Sequence, residues 1–117
     1  MKALIEGVGA NALTVESPNG AKQSHSPYRM DLMPPLATLA VAGVLAPGAI
    51  KYGENNWRGL PVKDHLNHAL VHVMAFLAGD TQDDHLGHFA CRAMMALETY
   101  LIEQLRQKEQ TSNATTT

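Results

Sequence analysis

Two stretches of helical periodicity, one from Val62 or Lys63 to Ala78 and one from about Asp83 to Gln107, are separated only by GDTQDD. This pairing limits the fold more than any other feature, because helices joined by so few residues must lie antiparallel as neighbours. Leu66, Ala69, Leu70, Val73 and Leu77 form the predicted packing stripe of the first, and Gly79 supplies its stop. In the second the stripe reads Leu86, Phe89, Ala90, Ala93, Met94, Leu97, Leu101 and Leu105, with Thr81 or Asp83 as the expected cap.

Upstream, PPLATLAVAGVL at 34–45 predicts a further helix that is apolar on several sides, with prolines tolerated in its first turn. Pro47 and Gly48 are expected to end or distort it, leaving GAIKYGENNWRGL at 48–60 as a loop or short irregular helix. Residues 1–26 form an irregular segment in which NALTVES predicts one short strand, 27–107 the helical domain, and 108–117 a polar tail expected to fray. The predicted class is all-α: an antiparallel helical bundle with an irregular N-terminal segment. A chain of 117 residues sits near the lower limit for a self-sufficient core, so completion by oligomerisation is expected.

Only 5% of the residues are aromatic, too few to fill a large β-sandwich core. Nine basic against eleven acidic residues give a net charge of −2, without a basic run, which argues against binding a nucleic-acid polymer. No stretch of eighteen uninterrupted apolar residues and no cleavable signal pattern occurs, so no membrane partner and a cytoplasmic location are expected. Cys91 is the single cysteine; an intrachain disulfide is excluded, and its helical neighbours predict a small buried thiol.

Chemistry concentrates in the helical pair. His65, His68 and His72 share one face at spacings of three and four, and so do His85, His88 and Arg92. Folding the pair brings His72 and Asp80 toward Asp83, Asp84 and His88, where carboxylates and imidazoles can hold a hard divalent ion such as Mg2+ or Mn2+. His65 and His85 are the weakest individual candidates. A dry core would avoid so many ionisable groups, because burying them without partners is costly.

Two further segments carry anion- and base-binding chemistry. Arg29 in RMDLMPP offers a phosphate-binding fork that Asp31 can orient, although Asp31 can equally cap a helix. In the connector, Lys51 and Arg58 can neutralise a polyphosphate, Asn55 and Asn56 can read a heterocycle or fix a turn, and Trp57 can stack on a base or plug the loop. Neither a phosphate-loop nor a dinucleotide-fold fingerprint is present.

Taken together, RMDLMPP, GAIKYGENNWRGL and HALVHVMAFLAGDTQDDHLGHFACRAMMALE resemble the phage-associated dATP/dGTP diphosphohydrolase-like family, related to the MazG-type all-α nucleoside triphosphate pyrophosphohydrolases. The resemblance spans roughly residues 27–103. It implies cleavage of a deoxynucleoside triphosphate, a purine such as dGTP or dATP, to monophosphate and pyrophosphate. It also implies a homo-oligomer, dimer or tetramer, located in the host cytoplasm if the chain is phage-encoded. The resemblance matches Arg29, Asp31, Lys51, Tyr52, Gly53, Asn56, Trp57, His72, Asp80, Asp83 and His88 to family positions. In the mechanism expected from it, metal sits near Asp80 and Asp83, and Asp84, His72 or His88 assists proton transfer. Arg29, Lys51, Asn56 and Trp57, with Asn55 and Arg58 added from the connector's own chemistry, face the substrate.

Departures from the family pattern are also visible. Asp80 stands where glutamate is usual, Val71 replaces an arginine before His72, and the wider E-x-x-E and E-x-x-D elements are missing. Two other readings stay open at this level: a non-catalytic nucleotide-binding or regulatory protein, and a metal phosphohydrolase that releases triphosphate whole.

Overall fold

The computed structural model describes residues 4–115, and the chain divides into two compact units at Pro34–Pro35. In the first unit, β1 (Thr14–Glu16) pairs antiparallel with β2 (Lys22–Ser24) in the register Thr14↔Ser24, Val15↔Gln23, Glu16↔Lys22. The strand expected within NALTVES is therefore present, and its partner comes from a hairpin. Every residue of both strands is exposed, so this unit adds no core. A short 3-10 helix follows at Met30–Leu32.

The second unit is a bundle of three helices: α1 (Pro35–Tyr52), α2 (Val62–Leu77) and α3 (His85–Thr115). Packing is heaviest between α2 and α3, and α1 lies against α3. The all-α class and the hairpin of long helices agree with the sequence reading.

Three helix limits differ from it. α1 runs through Pro47 to Tyr52 although an interior proline costs about 3 kcal/mol. Helix-forming neighbours and the contact with α3 outweigh that cost. By length and composition α1 is also apolar enough to cross a membrane, and little of it is buried within the chain. α3 continues past Gln107 to Thr115, because Lys, Glu and Gln in this stretch favour helix without needing an apolar face.

The third difference is the start of α3. Its cap is Asp84, not Thr81 or Asp83: the Asp84 carboxylate accepts the Gly87 N–H at 3.0 Å, the standard bond from an N-cap side chain to the third helical residue. Gly87 is what permits it, since a Cβ at that position would collide with the Asp84 carboxylate.

The core is narrow. Among the described residues its buried apolar members are Val41, Ala69, Cys91 and Ala96, joined by buried His65 and His85. Cys91 is thus the buried thiol the sequence predicts, and burial pushes its pKa up. The large members of the predicted stripes point elsewhere: Leu66, Leu70 and Leu77 on α2, and Leu86, Met94, Leu97, Leu101 and Leu105 on α3, are exposed. Small residues and imidazoles occupy the buried positions of α2 and α3 instead, while the leucines form an outer surface.

Candidate functional site at the hairpin mouth

The end of α2 is built to aim Asp80. The Asp80 N–H donates to the Ala75 carbonyl oxygen at 3.0 Å and the Gly79 N–H to that of Phe76 at 3.0 Å, with Gly79 at φ +85°. This is the paired bonding of a Schellman turn, which needs a left-handed residue where only glycine is unstrained. Asp80 emerges beneath the first turn of α3, and its carboxylate accepts a short hydrogen bond from His85 Nε2.

His85, which sequence spacing ranks among the weakest histidines, is the buried centre of the cluster. Donating from Nε2 fixes the tautomer, so that its Nδ1 carries a lone pair. The His72 Nδ1–H donates to that atom at 3.0 Å, which leaves the His72 lone pair on Nε2. His72, Asp83 and His85 each offer one ligand atom, all within 4.8 Å of one another. Adjacent ligand atoms around a metal with bonds of about 2.0–2.2 Å stand roughly 3–3.6 Å apart, so these three side chains would need to draw together by a small side-chain movement to share an ion.

The surrounding charges favour that set. Burial, followed by the neighbouring His88 and His85, holds the His72 pKa below the usual imidazole range, which keeps the ring neutral and able to donate a lone pair. The hydrogen bond from His85 lowers the Asp80 pKa and keeps it an anion. His88 stacks on His72 with ring centroids 5.1 Å apart. Its Nδ1–H is 2.7 Å from the Asp84 carbonyl oxygen and 3.6 Å from Asp83 Oδ1. Pointing Nδ1–H at those oxygens leaves Nε2 as its basic nitrogen.

The three predicted site carboxylates, Asp80, Asp83 and Asp84, all lie at the mouth of the hairpin. Asp80 and Asp83 were both expected as metal carboxylates; Asp83 belongs to the ligand-distance cluster, whereas Asp80 bonds the other ring nitrogen of His85. Asp84, expected to assist proton transfer, spends its carboxylate on the α3 cap, because the residue just before the helix is where an aspartate best satisfies the exposed N–H groups.

The connector is ordered by a contact that spacing did not single out. His65, fully buried, donates from Nε2 to the Trp57 carbonyl oxygen at 3.0 Å, tying α2 to the 3-10 helix Asn56–Gly59. Asn55 takes the left-handed conformation at φ 61°, one that asparagine tolerates. Its side chain accepts a bond from Arg58 Nε at 3.1 Å, and the Arg58 guanidinium covers the half-buried Trp57 ring at 4.4 Å. Asn55 thus fixes a turn and steers Arg58. Lys51 lies over the Tyr52 ring at 5.0 Å, its pKa raised by that neighbour, while the Asn56 side chain is exposed.

In the first unit Arg29 holds Asp31 in a two-pronged exposed pair at 2.9 and 2.8 Å, each raising or lowering the other's pKa toward the charged form. Asp31 therefore orients Arg29, the first of the two roles the sequence allows. Sequence spacing did place Arg92 one turn beyond His88, without giving it a role. It is half-buried with its Nε unpartnered, and its charge acts on the His65 ring. It stands as the functional candidate that the motif reading passed over.

The site thus belongs to a small helical bundle with an imidazole–carboxylate cluster at the mouth of one hairpin and an arginine-capped tryptophan on the adjoining connector. The family model "dATP/dGTP diphosphohydrolase, N-terminal" matches residues 17–110, and the chain belongs to that family. It is 35% identical over 79 residues to a dATP/dGTP diphosphohydrolase of Salmonella phage PMBT28, an alignment covering 67% of this chain and 27% of the relative. The chain therefore spans about a quarter of the length of that curated relative. No solved structure matches.

Proposed function

We propose that the protein is a divalent-ion-dependent diphosphohydrolase that cleaves a purine deoxynucleoside triphosphate, dGTP or dATP, into monophosphate and pyrophosphate. The observation that carries this reading is the convergence of His72, Asp83 and His85 in a chain of this family.

His72, Asp83 and His85 would hold the divalent ion, which would shield triphosphate charge and acidify water. His88 Nε2 takes the proton from a water that attacks the α-phosphorus; the new bond is P–O to that water, and the α–β anhydride bond breaks to release pyrophosphate. Arg92, one turn along α3, and Lys51 and Arg58 on the connector offset the remaining anionic charge. Trp57 and Asn56 meet the base, where stacking tolerates any heterocycle and the amide supplies discrimination.

The exposed leucine surface of α2 and α3 supports a homo-oligomer, a dimer or tetramer. Covering one such side chain is worth about 1.5–3 kcal/mol, so a few of them rival the net stability of a whole domain, about 5–15 kcal/mol. A net charge of −2 without a basic run in the sequence supports a small nucleotide over a nucleic-acid polymer, and a cytoplasmic location accompanies that substrate.

The test is a panel of deoxy- and ribonucleoside triphosphates incubated with Mg2+, with Mn2+ and with Co2+, with products resolved by anion exchange. Monophosphate plus pyrophosphate from purine deoxynucleotides is the expected result. Nucleoside plus intact triphosphate would replace it with the other phosphohydrolase chemistry, and tight binding without turnover would make the protein a nucleotide-binding subunit.

A further inference from the structure

The donor atoms at the hairpin mouth say more about the ion than the family does. Mg2+ prefers oxygen ligands in near-octahedral arrays and keeps several waters. Here two of the three converging donors are imidazole nitrogens, and one of those rings is buried. Imidazole suits Zn2+, Fe2+ and Co2+. The Asp80 carboxylate on the outer nitrogen of His85 matches the arrangement in which a carboxylate orients a metal-binding histidine and raises its basicity.

We propose that this site takes a transition-metal dication of the Zn2+, Fe2+ or Co2+ kind in preference to Mg2+. A ring nitrogen of His72, Nδ1 of His85 and the Asp83 carboxylate are its ligands, and Asp80 is a positioning residue that fixes the His85 ring. The proposal rests on the diphosphohydrolase reading only for its purpose; the binding chemistry stands without a nucleotide. It gives Asp80 a role consistent with its departure from the usual glutamate. Asp80 leaves the Schellman turn directly beneath His85, and its short side chain already reaches Nε2.

The closing experiment uses the full chain, metal-free and nucleotide-free, titrated with Co2+ and followed by visible absorption. Wild type is expected to give the ligand-field bands of a nitrogen–oxygen site, abolished by one equivalent of Zn2+ and unaffected by a large excess of Mg2+. His85→Ala and His72→Ala should lose the bands, whereas Asp80→Ala should keep them with affinity about 10–100-fold weaker.

Displacement by Mg2+ at concentrations comparable with Co2+ overturns the proposal. So does an Asp80→Ala protein that loses the site as completely as His85→Ala, or one that binds as tightly as wild type. Far-UV circular dichroism checks that each variant is helical. Nitrogen-15 imidazole spectra of the unsubstituted protein guard against a folding artefact. Protonated Nε2 on His85, and a Zn2+-induced shift of its Nδ1, are expected; the reverse tautomer rejects the assignment. A protein that binds Co2+ as described yet cleaves no triphosphate removes the hydrolase reading and leaves this one intact. Cleavage with Mg2+ and no imidazole coordination does the opposite.

Discussion

Asp84 and Gly87 show how one backbone contact decides a side chain's role. Glycine inside a helix ordinarily costs about 1 kcal/mol relative to alanine, so Gly87→Ala would stabilise an unconstrained helix. Here the added methyl meets the Asp84 carboxylate and breaks the cap. The substitution should destabilise the fold by about 1 kcal/mol net, read from urea unfolding. Asp84→Asn preserves a capping oxygen and should leave both stability and turnover near wild type. A large loss of turnover with intact stability would restore Asp84 to the chemistry.

His65 carries a pH signature. Burial lowers its pKa below the ordinary 6.5, so the unfolded chain takes up a proton at a higher pH than the folded one. Stability is full above pH 6.5, falls as pH drops through that value, and stops falling once the folded ring also protonates. His72 contributes in the same direction. Thermal unfolding across mildly acidic pH should show this slope, and His65→Gln, which can still donate to the Trp57 carbonyl oxygen, should flatten it.

Among the elements, the α2–α3 hairpin was legible because its signals are local: a periodic run, Gly79 after it, and aspartates before the next run. The convergence of His72 with the acidic residues followed from that topology. The centrality of His85 did not, because it depends on which way the first turn of α3 faces, and that is set by the Asp84 cap and the Schellman turn together. The limit of α1 was misread for a related reason, since Pro47 is a strong local breaker that tertiary packing overrides. Pro47→Ala should therefore raise thermal stability, by up to about 3 kcal/mol, without changing helix content appreciably. A loss of stability would mean that the proline is needed where it stands.

For the whole molecule, helical periodicity identified apolar residues on α2 and α3 but not their partner. Ala69 of the predicted stripes is buried and Val73, Phe89, Ala90 and Ala93 are half-buried, but the leucines and Met94 lie on the exposed surface of a single chain, because small residues and imidazoles occupy the buried positions. Chain length pointed to oligomerisation, and the periodicity located only the small members of the intramolecular core. Light scattering during gel filtration should report a dimer or tetramer, and Leu97→Glu with Leu101→Glu should shift it to smaller species and lower the unfolding temperature. A monodisperse monomer for wild type would remove the oligomer.

The most direct measurement is phosphorus-31 NMR of dGTP turnover by wild type, Asp83→Ala and His88→Ala under one set of metal conditions. Wild type is expected to produce dGMP and pyrophosphate. Asp83→Ala should reduce the rate at least about 100-fold through loss of a metal ligand, and His88→Ala about 100-fold or more through loss of the general base. Undiminished turnover in both variants, or accumulation of inorganic triphosphate, would contradict a hydrolytic site at the mouth of the hairpin.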